Sequence, residues 1–233
     1  QLDINDTHII LKALFPFDIR ATKTTSEIQY GNVERPCHMN TSWDEAKFET
    51  CMHKWVDVSD SGYGVSLLND CKYGFSSYDN TLAITLVKCA ESPFYGGDLG
   101  NHEILYSIYP HKNSAVCGGT VNQAYSLNAP MTAVKMTKQA GCLKDEYSAV
   151  KCNKDNIVVE VLKQAQNSSD TIVRFYDAHN MRTKATLEFG FPFKRAFITD
   201  LLENKETEIP VVNNSITVDV KNFEIVTVML TEN

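Results

Sequence analysis

The sequence predicts an all-β, sandwich-like protein, on three observations. Short runs alternate apolar and polar residues with a period of two, β-branched and aromatic residues concentrate in those runs, and turn-forming clusters separate them at close spacing. Strands joined by such short links leave no room for crossover helices, so the sheets are expected to be antiparallel.

Taken in order, strands are expected at 8–15, 27–31, 50–58, 64–68, 82–88 and 103–109. After a less regular middle come 157–162, 171–176, 183–189, 196–202, 215–220 and 224–230. Between them stand Asp60-Ser61-Gly62, Tyr78-Asp79-Asn80, Gly96-Gly97-Asp98, Asn167-Ser168-Ser169-Asp170 and Asn213-Asn214. These residue types tolerate left-handed backbone or bond their own main chain, which turns require. Two short helices interrupt the pattern. Ser42-x-x-Glu45 has capping-box spacing, and 119–127 is a second helical stretch. Residues 140–156 break the alternation, which places a boundary near residue 150 between domains 1–150 and 151–233.

Composition narrows the function. The chain has 233 residues, 43% hydrophobic and 22% charged, close to globular averages and unlike disordered or fibrous sequences. A net charge of −7, a pI near 5.4 and the lack of a long basic run argue against nucleic acid as a partner. No apolar run approaches the ~18 residues of a membrane span, and no signal peptide opens the chain, so no membrane partner is expected. The opening QLDINDTHIILKALF reads like the middle of a longer protein. Seven cysteines without a CxxC pair read as reduced thiols of a cytoplasmic protein. Sequons at Asn5, Asn40, Asn167 and Asn213 are then chance matches.

Catalytic signatures are sparse. Asp57 with Asp60, or Asp70 with Glu34, could in principle form the carboxylate pair of a glycosidase, but acids on a solvated rim read the same way. The six histidines form no HxH or HxxxH pair, so no metal site is expected in this chain. No G-x-S-x-G elbow or phosphate loop is present. The densest polar run, 28–74, sets Trp43, Trp55, Tyr63, Tyr73 and Tyr78 near Asn69, Asp70 and Lys72. Rings that stack on a pyranose beside groups that bind its hydroxyls would suit a sugar. The competing reading makes the tryptophans core or seam residues and Asn69-Asp70 a turn. Glu49 and His53, four apart, are expected on one strand face.

The stretch YGNVERPCHMNTSWDEAKFETCMHKWVDVSDSGYGVSLLNDCKYG, with HEILYSIYPH, NIVVEVLKQAQNSSDTIVRFYDAH, AFITDLLEN and FEIVTVML, resembles the C-terminal β region of family 38 α-mannosidases of the cytosolic and vacuolar type. The likeness covers most of the chain outside 112–150. It implies an antiparallel supersandwich of the galactose mutarotase-like kind, followed by a smaller C-terminal β-sandwich. It also implies a retaining exo-α-mannosidase that acts on mannose-containing oligosaccharides. In that family an N-terminal catalytic domain, the expected partner, carries the nucleophile and a zinc or another divalent metal. Nothing here matches those segments, so no catalytic residue, metal or cofactor is expected in this chain, and it alone should be inactive. The resemblance implies substrate contacts at Asn69, Asp70, Lys72, Tyr73 and Lys88. Where some relatives carry an Arg pair, Lys88-Cys89 stands here and lacks the planar fork. The catalytic domain of that family is an α/β barrel, and Glu34, Arg35 and His38 would pack on it or line its cleft. If that neighbour is absent, Pro36, Trp43, Trp55 and Phe75 are expected to form an exposed patch. A free-standing carbohydrate-binding module is the alternative, and a homo-oligomer stays open.

Overall fold

The computed structural model describes residues 1–137, 140–142 and 144–232. The chain divides into two compact units, Gln1–Ala133 and Val134–Asn233. The first contains β1 (Leu2–Ile4), β2 (Ile9–Pro16), β3 (Lys23–Ile28), β4 (Gly31–Pro36), α1 (Ser42–Glu45), β5 (Thr50–Cys51), β6 (Trp55–Ser59), β7 (Tyr63–Asn69), β8 (Gly74–Tyr78), β9 (Thr81–Cys89), β10 (Gly100–His102), β11 (Tyr106–Lys112), α2 (Ala115–Gly118) and α3 (Thr120–Asn128). The second contains β12 (Val150–Cys152), β13 (Ile157–Gln164), β14 (Thr171–Asp177), β15 (Thr183–Phe189), β16 (Arg195–Thr199), β17 (Lys205–Ile209), β18 (Val211–Val212), β19 (Ser215–Val220) and β20 (Ile225–Thr231).

In the first unit a five-stranded sheet, β11-β7-β6-β3-β4, and a four-stranded sheet, β2-β9-β8-β5, share one apolar core. The paired β1 and β10 form a small third sheet. Alternation sets the core: Val56 and Val58 of β6, Val65 and Leu67 of β7, and Phe75, Leu82 and Ile84 of the second sheet are fully or nearly fully buried. Residues between them point the other way, and α2 and α3 rest on that outer face of β6, β7 and β11. In the second unit, β12-β15-β19-β18 and β13-β14-β20-β16-β17 enclose a core that includes Phe175, Leu187, Ile216 and Val228. Every strand pair in both units is antiparallel, as the short connections require.

Several local expectations are corrected. Residues 27–31 do not form one strand: the chain turns between β3 and β4, with Tyr30 at φ 54° in the left-handed region. The 50–58 run breaks after Cys51, because Met52 turns inward to bond the Tyr73 carbonyl at 2.8 Å. The α1 cap sits one residue early: Thr41 accepts from the Asp44 amide at 3.2 Å and Asp44 closes the box in return. β8 was not foreseen, since GFSSY lacks alternation.

Candidate functional site

Polar residues inside apolar strands point to the first cluster. Asp57 and Ser66 are cross-strand partners on β6 and β7, facing away from the sandwich core. His111 joins them from β11 and Thr120 from the start of α3. The His111 Nε2 lies 2.6 Å from Asp57 Oδ2 and 3.1 Å from Ser66 Oγ; Ser66 donates to Asp57 Oδ2 at 2.8 Å and meets Thr120 Oγ1 at 2.7 Å. Ser59 donates to the other Asp57 oxygen at 2.8 Å. Burial pulls the imidazole pKa down, but the hydrogen bond and charge of Asp57, with main-chain carbonyls behind, outweigh it and the net shift is upward.

These residue types are those of a hydrolytic triad, yet the wiring is wrong. A triad base uses one ring nitrogen for the serine and the other for the acid. Here Asp57 and Ser66 share Nε2, while Nδ1 faces the Lys112 carbonyl at 3.4 Å. His111 and Asp57 side chains are 2% exposed, so substrate has no approach. The cluster is a latch holding α2 and α3 to the sheet. Gly64 and Gly118 pack so closely on the imidazole that a Cβ on either would collide with it. Two further ties hold α3: Lys54 Nζ sits 4.5 Å from the Tyr125 ring centroid, and Asn128 donates to the Asn69 carbonyl at 3.0 Å. Lys54 in turn pairs with the buried Glu27 at 2.9 Å. None of this network was foreseen, though a charged residue in WVDVS was the signal available.

The residues carried over from the resemblance lie at one end of this unit. Asn69 ends β7 and is wholly buried; its side chain donates to the His53 carbonyl and accepts from the Lys72 amide, both at 2.7 Å. It therefore shapes the loop from inside. Asp70 bonds the Leu105 amide at 3.3 Å, which ties the loop to the chain entering β11. Lys72 is half-buried, and Tyr73 is exposed with its ring 5.6 Å from that of His53. Lys88 is exposed at the end of β9, its amide held by Asp98 at 3.0 Å. Because Phe75 pairs with Ile84, the start of β8 and the end of β9 lie together, so the 69–73 loop and Lys88 emerge at the same end. Exposed Phe94, Tyr95, Leu99 and Leu105 occupy the connections there.

Other candidates disperse. Tyr63 and Tyr78 lie at the opposite strand ends, about 20 Å from Asn69 along seven-residue β7 in the case of Tyr63. Trp55 and Phe75 are not surface residues; they are 2% and 1% exposed, Trp55 on the face under α3 and Phe75 in the sandwich core. Trp43 is 79% exposed. Glu49 and His53 do not share a strand face, because β5 ends between them. Glu49 instead pairs with Lys12 at 3.5 Å and accepts from Thr85 on the open face of the four-stranded sheet. Asp60 caps its own turn, bonding the Gly62 and Tyr63 amides at 2.8 Å. Glu34 pairs with Lys23, Arg35 donates to Ser26 and lies over Phe75, and His38 lies 3.6 Å from Asp44. Among the described residues, no three His, Cys, Asp or Glu side chains are placed to hold a metal ion. None of the helices described is long and apolar enough to cross a membrane.

Comparison with known proteins agrees with this layout. Residues 1–95 match the glycosyl hydrolases family 38 C-terminal domain, and residues 156–228 match the glycosyl hydrolases family 38 C-terminal beta sandwich domain. The chain is similar to alpha-mannosidase 2C1 of Homo sapiens, 38% identical over 205 residues, covering 87% of this chain and 20% of that protein. It is also similar to alpha-mannosidase of Saccharomyces cerevisiae, 35% identical over 209 residues, 84% of this chain and 19% of the relative. A crystal structure of an alpha-mannosidase from Enterococcus faecalis shares the fold at TM-score 0.79 and 21% identity, over 96% of this chain and 26% of that one. The chain thus spans about a fifth of the length of these curated relatives.

Proposed function

We infer from this chain's membership of glycosyl hydrolase family 38, whose C-terminal β-domains it carries, that it braces and completes the catalytic portion of a retaining exo-α-mannosidase. That enzyme removes terminal α-mannosyl residues from oligosaccharides. The observation that carries the reading is the concentration of exposed aromatic and apolar side chains at the end bearing the 69–73 loop and Lys88. A large apolar exposure rimmed by polar groups is what a partner surface looks like. The partner is the N-terminal catalytic domain of the same enzyme. Within that assembly Tyr73, Lys72 and Lys88 reach toward the glycan, while Asn69 and Asp70 set the loop. In this reading the nucleophile and a divalent metal such as zinc belong to the catalytic domain of that enzyme. Seven free thiols favour a cytoplasmic, reducing location.

Two assays test this. The 233-residue chain should release no mannose from p-nitrophenyl α-mannoside, whereas the full-length parent should. In the parent, Lys88→Ala and Tyr73→Ala should raise KM about tenfold while the protein stays folded, since one lost polar or stacking contact is worth ~1–2 kcal/mol. Hydrolysis by the chain alone refutes the division of labour. Unchanged KM in both variants removes them from the site.

A further inference from the structure

The second unit contains a cleft that the α-mannosidase reading does not use. It has a volume of about 170 Å³ and lies where the link between β13 and β14, the 190–194 loop and the end of β20 converge. Its lining includes the acidic Asp170 and Glu232, the hydroxyl-bearing Ser169 and Thr171, and the aromatic Phe191 and Phe193. Among the described residues no lysine or arginine lines it.

The walls are fixed before any ligand arrives. Phe191 and Phe193 both pack edgewise on the buried Phe189, with centroids at 5.6 and 5.1 Å and planes inclined at 63° and 81°. Asn214 holds the main chain behind them by donating to the Phe191 carbonyl at 2.8 Å, and to that of Phe189. The far end of the loop is clamped by the Lys194 amide, which donates to Thr231 at 2.8 Å. Across the cleft, Ser168 donates to one oxygen of Asp170 at 2.8 Å, which orients the carboxylate and leaves its second oxygen to point elsewhere. A site assembled from fixed loops binds without a large ordering cost.

We propose that this cleft is a binding site for one neutral hexopyranose ring, separate from the end of the first unit that carries Lys88. At ~30 Å³ per water the space equals about five or six waters, the scale of a single ring and below the range of drug-sized pockets. Ring C–H groups would lie on the phenylalanines, carboxylate oxygens would accept from sugar hydroxyls, and the Ser169 and Thr171 hydroxyls would both donate and accept. A simple ammonium would satisfy the carboxylates but leave the hydroxyl pair without a role. The chemistry is that of one residue of a glycan, held weakly by so small a contact.

Amide-resolved NMR titration of the whole chain with methyl α-mannoside and methyl α-glucoside tests it. Saturable shifts confined to 169–171, 190–194 and 230–232 are expected with at least one of them. Asp170→Asn, Glu232→Gln and Phe191→Leu should each weaken binding about tenfold with an unchanged circular dichroism spectrum. Glu232 lies beyond the last strand, so its variant remains informative if another fails to fold. No shift with either glycoside, shifts only around Lys88, or saturation by tetramethylammonium in their place would each overturn the proposal. None of these outcomes bears on hydrolysis by the parent enzyme, so the two readings fail separately.

Discussion

His111 Nε2 stands 2.6 Å from Asp57 Oδ2 in a space closed to solvent, and this pair joins the helical segment to the sheet beneath it. Removing one member of a buried pair leaves the other uncompensated, at a typical cost of ~3–5 kcal/mol. Asp57→Ala should therefore lower the unfolding free energy of the first unit by that amount, with a lower urea midpoint, read by intrinsic tryptophan fluorescence, because Trp55 lies on the same face.

The same pair sets a pH dependence. Folding raises the imidazole pKa above its ordinary 6.5, so the folded state holds the proton more tightly than the unfolded chain. The contribution is complete below the ordinary value and fades as pH climbs through the raised one. The stability gap between the native chain and His111→Gln should accordingly narrow from mildly acidic to alkaline pH. A gap that widens over that range would contradict the assignment.

Gly118→Ala should destabilise by about 1–3 kcal/mol, since the added methyl meets the imidazole, which Gly64 also approaches closely. Differential scanning calorimetry should show a lower Tm. Combining it with His111→Ala should recover part of the loss, as the two side chains compete for one space.

Asn69→Ala should cost about 2–3 kcal/mol, because the His53 carbonyl and the Lys72 amide both lose their partner inside the fold. Hydrogen exchange at Lys72 should rise by one to two orders of magnitude. An exchange rate unaffected by the substitution would mean that the loop keeps its shape without Asn69.

Thiol reactivity should divide the cysteines. Burial, then the charge of Asp79, pushes the Cys37 thiol up to about 11, and Cys89 is sealed. With a disulfide reagent such as Ellman's at mildly alkaline pH, both should react only on unfolding. Exposed Cys51, Cys117 and Cys142 should react at once, and Cys71 more slowly, since partial burial and Asp70 disfavour its thiolate.

The second unit was the more legible in sequence. The runs at 183–189 and 215–220 become strands with the same limits, because each is bounded by turn residues and alternates cleanly. In the first unit, strand identity depends on tertiary partners. GFSSY forms β8 only because β9 supplies its ladder, and Tyr30 takes a left-handed conformation that its residue type does not advertise. Asn69 carried a genuine signal, since an Asx side chain that bonds main chain two or three residues on is a local property. The Asp57, Ser66, His111 and Thr120 cluster carried almost none: its members come from four elements spread over 64 positions, and only folding shows that they share a space.

The latch has a practical consequence for dissecting this protein. A cut made just after β11, where the strand pattern ends, would strip the cover from Trp55, Asp57, Ser66 and Leu68 and wet a surface built to be dry. A half-molecule meant to stand alone must therefore retain at least everything through Asn128, whose side-chain amide ties the end of α3 to the Asn69 carbonyl.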